Sequence, residues 1–152
     1  MVPGSALTVD ASIVIAVENP QDALHDEALS LVEDACDRPW IMHPITVTEL
    51  MVGVARNGPA HEARTRIAQY RDWLERLGID DLPSHDDAMT TSPRACEDLA
   101  LLRARTRLKL PDCFVLQLAL QSGTALATAD RRLAEAAGAE GIETLLAAAR
   151  ES

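Results

Sequence analysis

Thr124-Ala125-Leu126-Ala127-Thr128-Ala129-Asp130-Arg131-Arg132-Leu133 reads as a strand, an acid and a helix, in that order. Residues 124–128 are small, apolar or β-branched and suit a buried strand, and Gly123 just before them ends whatever helix precedes. Asp130 stands where the next helix opens, over Arg131–Ala137. An Asp there can simply cap that helix. It also stands where a parallel α/β sheet gathers its chemistry, because strand-to-helix turns collect along the carboxyl edge of the strands.

Working outward, the same order recurs near the start. Leu7-Thr8-Val9 is a short apolar run that ends at Asp10, and a helix over 12–17 follows and stops at Asn19-Pro20. Trp40-Ile41-Met42, Ile79 to Leu82 and Ile142-Glu143-Thr144 are further strands, the last followed by a terminal Ala-rich helix. Between them lie amphipathic segments. Ala28, Leu31, Val32 and Ala35 share one face, as do Ile67, Tyr70, Leu74 and Leu77, with Gly78 as the stop. A helix from Thr46 to Arg56 ends at Asn57-Gly58-Pro59. Cys96, Leu99, Ala100 and Leu102 form the core face of another, which Pro111 interrupts; a nearly all-apolar helix, Asp112 to Gln121, then starts and should be buried. Pro83 to Pro93 reads as loop. Strands alternating with helices imply a parallel sheet covered on both faces.

The bulk numbers are consistent with one domain, 1–152, with a single sizeable core. Aromatic content of 3% leaves that core to Ala, Leu, Val and Ile. No apolar run is long enough to span a bilayer. The N-terminus lacks a basic n-region, and Cys36, Cys96 and Cys113 lack zinc-ligand spacing. A cytoplasmic protein with reduced, buried thiols is the expectation. A net charge of −10 argues against a nucleic-acid binder, which usually shows a basic footprint. Acids that hold metal would inflate that count, however, and bound ions would cancel part of it.

Four carboxylates, Asp10, Glu49, Asp112 and Asp130, each fall where a helix is expected to begin after a strand or extended stretch. Each also reads as a cap: Asp10 and Asp130 as N-caps, Thr46-Val47-Thr48-Glu49 as a capping box, and Asp112 as a complement to a helix dipole behind Pro111. Taken together they read differently. Ser, Thr and Asn cap as well as acids do, yet an acid stands at every one of these positions. Acids gathered in one pocket repel each other unless a multivalent cation sits among them. That points to a hard-metal site for Mg²⁺ or Mn²⁺ used on phosphate esters. Ser12 and Thr128 lie two residues from Asp10 and Asp130, and each can orient a carboxylate or close a local turn. Asp80-Asp81 and Asp86-Asp87 read as solvated pairs, and His25, His43, His61 and His85 as surface or packing residues. No Gly-rich phosphate loop and no Gly-x-Ser-x-Gly elbow is present.

The chain resembles PIN-domain ribonucleases, and more narrowly the VapC-type toxins of bacterial toxin–antitoxin pairs. The resemblance rests on Val9-Asp10-Ala11-Ser12, Thr46-Val47-Thr48-Glu49-Leu50, Leu110-Pro111-Asp112-Cys113 and Leu126-Ala127-Thr128-Ala129-Asp130-Arg131-Arg132-Leu133, in the family's order. It implies a three-layer α/β/α domain with a parallel five-stranded sheet. It implies that Asp10, Glu49, Asp112 and Asp130 form the acidic Mg²⁺- or Mn²⁺-binding catalytic set, accompanied by Ser12 and Thr128. It implies an endoribonuclease with an RNA substrate, a cognate antitoxin as inhibitor and a homodimeric assembly. Candidate RNA contacts are Arg103 and Arg107, which would share a helix face, and Arg131 and Arg132 beside Asp130; Arg105 and Lys109 would share another face. The overall acidity exceeds what an RNA-cutting enzyme suggests. Competing readings are a nuclease of the same family acting on DNA, and a receiver-like phosphoacceptor domain. The latter usually needs a late Lys, and the one Lys here is Lys109.

Overall fold

A computed structural model describes residues 6–81 and 92–149. In chain order the elements are β1 (Leu7–Val9), α1 (Ala11–Glu18), α2 (His25–Asp34), β2 (Trp40–Met42), α3 (Pro44–Arg56), a 3₁₀ turn (Ala60–Glu62), α4 (Ala63–Arg76), β3 (Ile79–Asp81), α5 (Pro93–Thr106), α6 (Leu110–Ser122), β4 (Ala125–Thr128), α7 (Arg131–Ala139) and β5 (Thr144–Leu146). The loop expected over 83–93 lies outside the described residues as far as residue 91, as does Leu82; Ser92 already caps α5 by accepting from the Ala95 amide.

All the strand pairs are parallel, in the order β3-β2-β1-β4-β5. From β1 the chain builds outward first to one side, then to the other. The reversal falls between β1 and β4, where Leu7, Thr8 and Val9 register with Ala125, Leu126 and Ala127. Period-two alternation sends side chains to two cores. Leu7, Val9, Ala125 and Ala127 pack with α1, α2, Trp40 and Met42 on one face. Leu126 packs with Leu99, Leu102, Leu116 and Leu133 of α5, α6 and α7 on the other. This is the expected α/β/α sandwich. Helix α3 adjoins both α1 and α6, so it bridges the two sides.

Local details differ from expectation for identifiable reasons. β5 begins two residues late because Ile142 is used to close α7. Its amide reaches the Ala137 carbonyl at 2.9 Å, the Gly141 amide reaches Gly138 at 3.0 Å, Gly141 takes φ 80°, and Ile142 packs into the second core. That is a Schellman ending. Residues 144–146 are then strand, and no Ala-rich helix forms through residue 149. Helix α5 breaks at Arg107, which takes left-handed φ 57°, and not at Pro111, which lies in the first turn of α6. Arg107 therefore stands outside the helix that carries Arg103, and Lys109 occupies the N-cap position of the next one without a capping side-chain bond. The shared-face reading of these cations does not hold. Of the thiols only Cys113 is buried; Cys36 and Cys96 are exposed.

The end of α3 is held by an arginine from α4. Arg66 donates to the carbonyls of Val54 (3.3 Å), Ala55 (2.9 Å) and Pro59 (3.0 Å). Arg66→Ala would remove all three bonds, although Val54 and Pro59 still accept from the Asn57 and Glu62 amides, and is expected to lower stability by about 1–3 kcal/mol. Urea unfolding should show an earlier midpoint at unchanged slope.

Candidate metal centre

The reversal point between β1 and β4 is where open parallel sheets place their ligand crevice, at the carboxyl ends of the strands. Asp10 follows β1 there and Asp130 follows β4. Asp10 is buried, and its amide donates to the Ala127 carbonyl at 2.9 Å. It occupies the N-cap position of α1 but caps nothing with its side chain. Instead Oδ2 accepts from two hydroxyls, Ser12 Oγ and Thr128 Oγ1, the latter at 2.9 Å. Ser12 Oγ also accepts from the Ala129 amide at 2.9 Å, and Thr128 Oγ1 accepts from the Asp130 amide at 3.0 Å. So Thr128 closes a local turn, Ser12 reaches across to the β4 turn, and both orient Asp10. Together they tie the β1 and β4 turns into one network.

Asp130 is exposed and is a true N-cap, with Oδ1 accepting from the Arg132 (2.8 Å) and Leu133 (3.3 Å) amides. Asp112 lies in the first turn of α6, half-buried, behind Pro111. Glu49 departs from expectation. Helix α3 begins at Pro44 with His43 as its cap, so Glu49 sits in the second turn and forms no capping box with Thr46. Thr46 is buried, and its hydroxyl has no hydrogen-bond partner among the described residues. Freed from capping, Glu49 extends from the exposed side of α3.

The charges confirm that these acids share a field. Burial first, then the charges of Asp10 and Asp112, push the Glu49 carboxyl above its ordinary value; Lys109 opposes this. Burial first, then Asp10 and Asp130, do the same to Asp112, again opposed by Lys109. A field of acids that raises the proton affinity of Glu49 and Asp112 equally favours a cation. Among the described residues no three His, Cys, Asp or Glu side chains stand close enough to cage an ion as they are. The donor set is nevertheless all hard oxygen. Mg²⁺ usually keeps several waters and takes only one or two carboxylates directly, so an open acidic set fits it.

The cations are less uniform. Arg105 is engaged by Glu140, at 2.7 and 2.9 Å, across α5 and α7. Arg103 and Arg107 are exposed, and Arg131 and Arg132 are exposed where α7 opens beside Asp130. Arg132 Nη2 lies 3.4 Å from the Arg107 carbonyl, which places those two side by side. Sequence reasoning misses His43; Pro44, a frequent first helical residue, is the available signal for a helix opening there. An apolar cavity of about 170 Å³ between α1, α2 and α4, lined by Val14, Val17, Trp40 and Trp73, contains none of the acids.

A family model described as PIN domain matches residues 7–139. No curated protein sequence matches. Among solved structures, the chain is similar to one described as FitAB bound to an IR36 DNA fragment, at 16% identity and TM-score 0.68, covering 96% of this chain and 98% of that one. It is similar to FitAcB from Neisseria gonorrhoeae at 17% identity and TM-score 0.60, covering 93% and 97%. It is also similar to VapBC2 from Rickettsia felis, bound to a DNA fragment from their promoter, at 15% identity and TM-score 0.61, covering 93% and 98%.

Proposed function

Because this chain belongs to the PIN-domain family, we propose that it is a Mg²⁺- or Mn²⁺-dependent endoribonuclease acting as the toxin of a toxin–antitoxin pair. The observation that carries the reading is the meeting of Asp10, held by Ser12 and Thr128, with Asp130 at the β1–β4 reversal point, with Glu49 and Asp112 near enough to feel the charge of Asp10. Asp10 and Asp112 would hold the ion directly, and Glu49 and Asp130 directly or through water. A bound ion of this kind lowers the pKa of a water and offsets charge on the leaving oxygen.

The chain's own residues supply the rest. Ser12 and Thr128 fix the Asp10 carboxylate, so its lone pairs point one way before any ligand arrives. Exposed Glu49 and Asp130 leave the pocket open on the side from which a polymer must approach. With a net charge of −10, RNA has to be drawn in by local positive charge; Lys109 acts on Glu49 and Asp112, Arg131 and Arg132 follow Asp130, and Arg103 and Arg107 are further candidates. A cognate antitoxin would silence the pocket most simply by inserting an Arg, which pairs bidentately with carboxylates. The VapC resemblance and the likeness in fold to the VapBC2 assembly support that partner. Homodimeric assembly in the cytoplasm completes the reading. Among the described residues no helix is long and apolar enough to cross a membrane.

The test is cleavage of total cellular RNA, and of single-stranded DNA, by the purified chain with Mg²⁺, Mn²⁺ or EDTA. Discrete RNA fragments that need the metal support the proposal. Cleavage of DNA alone would keep the nuclease and reassign its substrate. Cleavage unaffected by EDTA would sink the metal mechanism.

A further inference from the structure

Resting on that reading, we propose that His43 is a positioning residue, whose imidazole caps α3 and stacks on Phe114 of α6, thereby setting how Glu49 and Asp112 face a shared divalent cation. His43 is buried at the junction of β2 and α3. Its Nδ1 accepts from the Ile45 amide at 3.0 Å, an amide that helix geometry would otherwise leave unpaired. Its ring centroid lies 4.9 Å from that of Phe114, tilted by 33°. That spacing lies within the range of packed aromatic pairs.

The two ends of this contact belong to the two helices that bring the repelling acids together. His43 opens α3, whose second turn carries Glu49, and Phe114 follows Asp112 by two residues in α6. The helices adjoin directly. Burial and the neighbouring acids both disfavour the ionised forms of Glu49 and Asp112, with Lys109 opposing. An uncharged contact can hold their helices in place. The His43–Phe114 pair does so without adding a charge to the acidic field. Burial lowers His43 to about 4, so the ring stays neutral and Nδ1 stays free to accept near neutral pH. Most caps are Ser, Thr, Asp or Asn, which would satisfy the Ile45 amide but present no ring to α6.

The experiment is Mn²⁺ binding by the purified full chain, read by electron paramagnetic resonance, with circular dichroism confirming folding. His43→Asn keeps a cap acceptor and removes the ring; Phe114→Leu removes the other ring and keeps apolar bulk. Each should bind Mn²⁺ about 10-fold more weakly than wild type, the scale of lost orienting partners around metal ligands. The double variant should lose no more than the worse single, because both remove the same contact. Wild-type binding together with near-wild-type binding, within about twofold, by both folded variants overturns the positioning role alone. So does an additive loss in the double variant. If His43→Asn does not fold, Phe114→Leu decides by the same criterion. Absence of Mn²⁺ binding by wild type itself overturns the metal reading, and this role with it.

Discussion

Asp112→Asn is expected to lower metal-dependent RNA cleavage at least about 100-fold, because orienting partners of metal ligands already cost about 10–100-fold and a ligand should cost more. The same change should raise, not lower, the stability of the metal-free chain. The sign follows from linkage. Burial and the charges of Asp10 and Asp130 lift Asp112 above its ordinary value in the folded state. A carboxyl whose folded value exceeds its unfolded value binds protons more tightly when folded, so the fold loses stability as pH rises through that interval and stays penalised at pH 7. Asparagine is nearly isosteric and removes the penalty. A structural acid would behave in the opposite way, since removing a carboxylate that caps or pairs lowers stability. Thermal unfolding without metal, alongside the cleavage assay, reads both halves. Activity lost together with several degrees of melting temperature would mean that Asp112 serves the fold.

The second large effect concerns pH and metal together. Glu49 and Asp112 are both shifted upward, from ordinary values of 4.5 and 3.8. Their contribution to the metal-free fold is therefore most favourable in acid and is lost as pH climbs through those values and the higher folded ones. A divalent ion reverses the balance, because it binds the ionised forms. At pH 7, Mn²⁺ at 100 times its dissociation constant should add about 2.7 kcal/mol. For a chain of this size that amounts to roughly 5–11 °C in melting temperature. Toward acid pH, where the upward-shifted pair takes up protons that compete with the ion, the same Mn²⁺ concentration should give a smaller shift. Differential scanning fluorimetry across pH 4–8, with and without Mn²⁺, measures this. A metal-induced shift independent of pH would place the ion away from these carboxylates.

Much of the site is legible in the amino-acid sequence, and the reason is topological. Short apolar runs ending in Asp10 and Asp130 mark β1 and β4, and a parallel sheet that grows both ways from β1 brings those ends together. The all-apolar character of α6 signals its burial and with it the place of Asp112. Glu49 stands out for the wrong local reason. The Thr46–Glu49 spacing imitates a capping box, whereas α3 starts at Pro44 under a histidine cap. Pro44 signals the boundary, but histidine is not among the residues that propensity marks as caps, so the role of His43 is not readable. Helix ends set by tertiary partners escape in the same way. Arg107 takes a left-handed turn that favours glycine, and Ile142 seals α7 against the second core although its β-branched side chain suggests strand. The three thiols illustrate the limit from composition: cysteine is among the most often buried residues, yet Cys36 and Cys96 lie on the surface.

The most direct measurement is anomalous diffraction at the manganese edge from crystals of the purified chain soaked in Mn²⁺. A peak is expected at the carboxyl edge of the sheet between β1 and β4, coordinated by Asp10 and Asp112 and flanked by Glu49 and Asp130. It should vanish in Asp112→Asn crystals. A peak elsewhere, or one that survives that substitution unchanged, would contradict this metal site.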